Sequence, residues 1–166
     1  MNAFEEIHIL PPSGEYEQRW LNELWKSEWG GEIMVSRGHV YRLRELKSLV
    51  AKTEQRLIGA VVYRFDNDGG CELMSINATI PGAGIGTKLL DAVESETREQ
   101  GCHRLWLITS NDNLDALRFY QRRDYRITAV HVGAIDEARR IKPTIPFVGN
   151  HGIEIHDELE LSKNLK

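Results

Sequence analysis

The chain has 166 residues, 41% hydrophobic and 28% charged, with a formal net charge of −4. That length serves one domain hiding roughly 65–70% of its unfolded surface, and the acidic balance argues against a nonspecific nucleic-acid binder, which needs a basic footprint. Two cysteines, Cys71 and Cys102, are too few for a disulfide framework or zinc site; with no signal-like start and no run of about 18 apolar residues, a cytoplasmic protein with reduced thiols is expected.

Phe4 to Leu10 alternates like a strand and stops at Pro11-Pro12. From Glu15 to Trp29 the residues Tyr16, Trp20, Leu24 and Trp25 recur at helical spacing, and Gly30-Gly31 ends the run. Such an aromatic stripe reads as core before it reads as a ligand cage. Ile33 to Ser36 and Val40 to Leu43 read as short extended pieces around Gly38. Ser48 to Thr53, Leu57 to Phe65 and Cys71 to Ala78 are apolar runs separated by TEQR and DNDGG, which predicts an antiparallel meander.

The period then changes. Ile85, Leu89, Leu90, Val93 and Thr97 fit one helix face that ends at Gly101. Arg104 to Thr109 reads as a buried strand, Asp112 to Arg122 as a helix, and Tyr125 to Val132 as a strand. A proline-punctuated loop, IKPTIPFVGNHG, precedes a last strand over Ile153 to Leu161. This order predicts an α/β protein of α+β type, with a mixed, mostly antiparallel sheet flanked by helices on both faces. No repeat or linker divides residues 1–166, so one domain is expected.

The stretch IPGAGIGTKLL places Gly82, Gly84 and Gly86 directly before the second helix. Glycine costs a helix roughly 0.5–1 kcal/mol relative to alanine, so three of them imply that something approaches the backbone. The first N–H groups of a helix lack internal partners and sit at its positive end. A strand–glycine loop–helix unit is therefore an anion site, suited to a phosphate or diphosphate. A dinucleotide fingerprint needs Gly or Ala where Thr87 stands, and a Walker loop needs Gly-Lys-Ser/Thr where the chain has Gly86-Thr87-Lys88. Both nucleotide readings are disfavoured, because antiparallel hairpins also replace the expected βαβ unit.

In SNDNLDALRFYQRRDY, Asn113, Ala116, Phe119 and Tyr120 share one helix face. Together the loop and this helix resemble the GCN5-related N-acetyltransferase (GNAT) superfamily over about residues 47 to 132. Its acyl-CoA loop reads Gln/Arg-x-x-Gly-x-Gly/Ala, matched by Gly84 and Gly86, and its later helix reads Asn-x-x-Ala-x-x-Phe/Tyr-Tyr. Pro81 stands at the Gln/Arg position and Asp124 replaces the glycine before the final aromatic, Tyr125. The resemblance implies the acyl-CoA N-acyltransferase fold and an enzyme that moves acetyl from acetyl-CoA to an amine, with no metal. Gly82, Ala83, Gly84, Ile85, Gly86 and Thr87 would hold the diphosphate through main-chain nitrogens, with Lys88 as a candidate aid.

The strands Cys71–Ala78 and Arg104–Thr109 would splay around the pantetheine, which Asn113 would hold. The amide near Ile76 would stabilise the oxyanion, an effect worth about 3 kcal/mol, and Tyr120 would protonate the departing thiolate. The blander readings are core filler for Tyr120 and a helix cap for Asn113. Glu72 is the candidate base for the ammonium proton, directly or through water, against a plain strand-end charge. On the tail GIEIHDELEL, Asp157 falls among Ile153, Ile155, Leu159 and Leu161, so it is either satisfied locally or lines the acceptor pocket.

His131, His156 and the Arg139-Arg140-Lys142 cluster either shape a ligand site or, as the preferred reading for the cluster, form solvated surface. The expected acceptor is a small-molecule amine, against a protein N-terminus or lysine. The rival outside enzymes is an acyl-CoA-binding sensor. Neither nucleic acid nor membrane is expected as partner, and an exposed last strand would allow a homodimer.

Overall fold

The computed structural model describes residues 5–165, so the Phe4 end of the expected first strand lies outside the described residues. Seven strands form one sheet in the order β1 (His8–Leu10), β4 (Lys47–Lys52), β5 (Leu57–Phe65), β6 (Gly70–Ala78), β7 (Arg104–Ser110), β9 (Glu158–Asn164), β8 (Arg126–His131). A separate antiparallel ribbon joins β2 (Ile33–Ser36) to β3 (His39–Arg42). Within the large sheet β6 and β7 pair in parallel, and the other neighbours pair antiparallel. A parallel pair needs a crossover, supplied by helix α2 (Ile85–Glu99).

Two cores follow from the two faces of that sheet. Helix α1 (Gly14–Trp29) lays Leu21 and Trp25 against Val50, Ala60, Val62 and Met74. On the opposite face α2 buries Ile85, Leu89, Leu90 and Val93 against Ile58, Val61 and Leu107. Gly59 permits this approach: a Cβ there would lie 2.8 Å from the Asn77 carbonyl oxygen and 2.9 Å from Ile85 Cγ2. Helix α3 (Leu114–Gln121) adds Tyr120, which meets Tyr125 edge-on at 5.6 Å between centroids.

The meander and the three expected helices lie where the periodicity puts them, and the mixed sheet is as expected. Several expectations change. Tyr16 is 71% exposed, so the buried stripe of α1 begins at Leu21. The last strand begins at Glu158, not Ile153, and lies between β7 and β8. It is therefore not an exposed edge, and the free edge on that side is β8.

Helix α4 (Ala134–Ile141) was not expected, although Ala134, Ile135, Ala138 and Ile141 recur at helical spacing; it is only eight residues long and buries Ala138 alone. The Arg139-Arg140-Lys142 cluster at the end of this helix is also not simply surface. Arg139 is only 10% exposed and donates to the carbonyls of Ile145, Pro146 and Ile155. Lys142 is buried and donates to the carbonyls of Trp29 and Ile33. Only Arg140 matches the solvated reading, exposed and paired with Glu137. None of the described helices is long and apolar enough to cross a membrane.

Candidate active site

Strands β6 and β7 pair from Gly70–Arg104 to Leu73–Leu107 and then part, although β6 runs on to Ala78 and β7 to Ser110. The cause is visible in the register against β5, which passes from Tyr63–Leu73 to Val62–Ser75 and leaves Met74 as an extra residue. A bulge of this kind bends its strand and raises the local twist. From Met74 to Ala78 the edge of β6 that faces β7 has no strand partner, and Ile76 lies on that stretch.

Opposite the opening stands the start of α2. Its cap residue Gly84 has φ 71° and supplies no side-chain cap, and Gly82 has φ 78°. The first bond inside the helix runs from the Lys88 amide to the Gly84 carbonyl at 3.1 Å. The amides of Ile85, Gly86 and Thr87 precede it and are the unpaired donors of a helix start. The Ile85 side chain itself is core, and Ala83 packs against the same core. Gly86 would carry its Cβ 3.5 Å from the Phe119 ring.

A cleft of about 870 Å³ runs past this point, lined by Ile76, Pro81, Gly86, Asn113, Phe119 and Tyr120. Three arginines, Arg118, Arg122 and Arg123, line it as well. Arg123 lies over the Phe119 ring at 3.7 Å and donates to Thr87 Oγ1 at 2.6 Å and to the Phe119 carbonyl at 2.8 Å. This cation flanks the helix start where Pro81 has no charge to offer. Lys88 is exposed and does not line the cleft.

Tyr120 is buried, and burial pushes its hydroxyl well above the usual phenol range, with Arg123 acting weakly in the other direction. It stays protonated at neutral pH. Asn113 caps α3: its Oδ1 accepts from the Ala116 amide at 3.2 Å and its Nδ2 donates to Thr109 Oγ1 at 3.1 Å.

Glu72 is 1% exposed and faces the α1 side of the sheet. Its Oε1 accepts from Ser36 Oγ at 2.6 Å, and its Oε2 from Arg64 Nε at 2.7 Å and Nη2 at 2.6 Å. Both oxygens are engaged, so it is neither a plain strand-end charge nor an unencumbered base. Asp157 is satisfied by the Gly133 amide at 2.8 Å, which starts α4. His156 is exposed between Asp136 and Glu154.

A second cavity, of about 450 Å³, reaches the same opening from the α1 side and shares Asn113 with the first. Trp29, Met34, Ile108, Ile135 and Ile155 give it an apolar wall, and Thr144, Ile145 and Pro146 bound one side. Glu158 lies in its wall, 1% exposed, with Oε2 lacking any hydrogen-bond partner. Sequence reasoning missed Glu158 and Arg123. The Asp157 argument came within one residue of the first, and the arginine run beside Tyr120 was the available signal for the second.

A parallel strand pair that parts midway, with an uncapped glycine helix start across the gap, defines the architecture of an acyl-CoA N-acyltransferase. Residues 2–125 match the Acetyltransferase (GNAT) family. The uncharacterized protein YdhI of Bacillus subtilis (strain 168) is 38% identical over 156 residues, covering 93% of this chain and 97% of its own. YxbD of the same organism is 35% identical over 93% of this chain and 98% of its own. A Bacillus subtilis acetyltransferase solved in complex with CoA superposes with a TM-score of 0.71 at 17% identity, covering 97% of this chain and 100% of its own. The chain belongs to the GNAT acetyltransferase family and is an acyltransferase.

Proposed function

We propose that the protein transfers the acetyl group of acetyl-CoA directly to the primary amine of a small molecule, without a metal. The observation that carries this reading is the meeting of two unlike cavities at the parted strands, with Asn113 lining both. One is flanked by free helix amides and arginines, as a diphosphate requires. The other is mainly apolar, with Thr144, Ile145 and Pro146 bounding one side. That side is held by Lys142, whose ammonium ties the end of α4 to the Trp29 and Ile33 carbonyls. A mainly apolar pocket of this volume suits a small amine, whereas an extended peptide needs a longer groove.

When bound, acetyl-CoA supplies an activated thioester carbonyl and a thiolate leaving group. In this reading the amides of residues 82 to 87 and the Arg123 guanidinium hold its diphosphate. Asn113, fixed by its cap bond, lies along the arm. The unpaired β6 edge at Ile76 aims an amide at the developing oxyanion, the kind of fixed donor worth about 3 kcal/mol. Tyr120, kept protonated by burial, gives its proton to sulfur. Glu72, already held by Arg64 and Ser36, fixes the bent segment of β6 and keeps a negative charge on the acceptor side.

Mixing the protein with acetyl-CoA and a panel of amines, and following free thiol, tests this. Thiol is expected with small amines and not with peptide N-termini. Tyr120→Phe is expected to lower kcat by about tenfold to a thousandfold with little change in KM for acetyl-CoA. Tight acetyl-CoA binding with no transfer to any amine would instead favour an acyl-CoA sensor.

A further inference from the structure

The proposed machinery leaves several buried carboxylates unused, among them Glu94, Asp112, Glu160 and Glu158. Glu158 is the one that lines the acceptor-side cavity with an oxygen lacking a hydrogen-bond partner. It sits where β9 begins, opposite Ser110 of β7 on one side and His131 of β8 on the other. Ser110 belongs to the part of β7 that has left β6, so the carboxylate stands beside the opening. Glu158 lines the apolar acceptor-side cavity and also a further cavity of about 450 Å³ beneath α4, with Arg37, His131 and Arg140. Among the described residues three atoms around this region are buried without a hydrogen-bond partner: Glu158 Oε2, His131 Nε2, which has Glu160 Oε1 at 3.9 Å, and Nε1 of Trp29 in the wall of the acceptor-side cavity. A buried polar atom left unpaired costs roughly 1–3 kcal/mol, so the fold retains Glu158 Oε2 against its own stability.

We propose that Glu158 takes the proton of the acceptor's ammonium group, that the proton leaves by the cavity beneath α4, and that the acceptor is a monoamine with an apolar body. This rests on the acetyl-transfer reading above. The carboxylate lone pairs of Oε2 are unclaimed, whereas both oxygens of Glu72 are occupied. The charges around Glu158 divide the labour between the two acids. Burial raises the Glu158 carboxyl above its ordinary range; the Arg37 amide, His131 and the Arg37 charge pull it down, and the fixed charge of Glu72 pushes it up. Glu160 on the same strand, Glu137 and Arg140 of α4 and Lys142 complete the nearby charged groups. Two acids with environments this different suit one fixed charge and one proton carrier.

The acceptor's chemistry follows from the wall. One unpaired carboxylate among isoleucines, a methionine and Trp29 satisfies one ammonium and an apolar remainder. A second ammonium inside would meet the Lys142 charge, a costly burial, with only neutral groups, among them Thr109, Ser110, Asn113 and Thr144, to receive it; Glu28, the other carboxylate that lines the cavity, is exposed. The ammonium gives one proton to Glu158 Oε2; the freed nitrogen lone pair forms the C–N bond as the carbonyl π pair moves onto oxygen, and collapse of that oxyanion breaks the C–S bond. Tyr120 protonates the sulfur, and the second nitrogen proton returns to the tyrosinate. The first proton passes from Glu158 to water beneath α4 and past His131, so one proton leaves per turnover.

Thiol release with phenethylamine, hexylamine and spermidine, for the full-length chain and for Glu158→Gln, tests the proposal. Phenethylamine and hexylamine are expected to exceed spermidine in kcat/KM. Glu158→Gln is expected to lose about a hundredfold in kcat/KM near pH 7, and the loss should shrink near pH 9.5, where more of the amine is already neutral. Acetyl-CoA affinity by calorimetry should stay within about twofold. In a thermal melt with CoA present, phenethylamine should stabilise the parent and not the variant. An unchanged rate in Glu158→Gln, or a loss that persists at high pH, overturns the role of Glu158 and leaves acetyl transfer standing. No thiol from any amine overturns acetyl transfer, and the melt then still decides whether Glu158 binds amines. Spermidine as the best acceptor overturns the monoamine class alone.

Discussion

Gly84 and Gly86 are two residues apart and make opposite demands. Gly84 sits at φ 71° with no atom within 4 Å of a built Cβ, so its requirement is conformational. Gly86 has an ordinary φ, and its Cβ would touch Phe119 at normal contact distance. Gly84→Ala is expected to cost about 1 kcal/mol, the price of a left-handed side chain, and to weaken acetyl-CoA binding by disturbing the amides beside it. Gly86→Ala is expected to gain about 0.5 kcal/mol in the helix and keep its affinity; melting curves and calorimetry check both.

At the same scale the raised Glu158 carboxyl has a thermodynamic sign. Between the ordinary carboxylate range and its raised folded value, the folded chain holds more protons than the unfolded one, so stability falls as pH rises. Glu158→Gln should therefore be more stable than the parent at neutral pH while being slower, and the gain should vanish in acid. Single residues were the least legible level of the sequence. Asp157 drew attention as the acid on an apolar face, yet a strand that begins at Glu158 gives the site to its neighbour. Asp124 stood in place of a glycine and still adopts φ 70°, keeping the turn before Tyr125.

Elements bring these residues together. The C-terminal end of α3 delivers Arg123 to Thr87 at the start of α2, so one helix supplies the cation for the anion site of another. Arg123→Gln is expected to raise KM for acetyl-CoA about tenfold with kcat nearly unchanged, since charged hydrogen bonds to phosphate are the strong ones. The variant's KM should also depend less steeply on salt. Such pairings are hard to read from sequence, because Thr87 and Arg123 are 36 residues apart. Within each element the periodicity was sufficient: Ile85, Leu89, Leu90 and Val93 are all buried. In α4 the pattern exists, with Ile135, Ala138 and Ile141 at helical spacing, but it spans only eight residues beside a proline-punctuated loop.

Across the molecule, the Arg64–Glu72 pair couples the small ribbon to the large sheet. Ser36 of β2 donates to Glu72 of β6, and Arg64 of β5 stacks over Tyr41 of β3 at 4.9 Å and Trp106 of β7 at 5.8 Å. Removing one partner strands a buried charge. Arg64→Met is expected to destabilise by about 3–5 kcal/mol, lowering the melting temperature by about 6–20 °C for a chain of this size. The double change with Glu72→Leu should recover most of that stability, which denaturant unfolding would measure.

The sequence by itself determined the strands up to β8, helices α1, α2 and α3 and the glycine loop, because local periodicity and backbone freedom act over a few residues. It also carried the paired motifs at Gly84, Gly86 and Asn113 to Tyr120 that mark the family. Only the tertiary structure decided that β9 lies inside the sheet, that Glu72 is already engaged, and that Glu158 and Arg123 face the two cavities. Those outcomes depend on register and on charges meeting across 36 to 86 residues of chain, where Ser36 finds Glu72 and Glu72 comes under the influence of Glu158. No local pattern encodes such distances; burial and pairing in the folded sheet do.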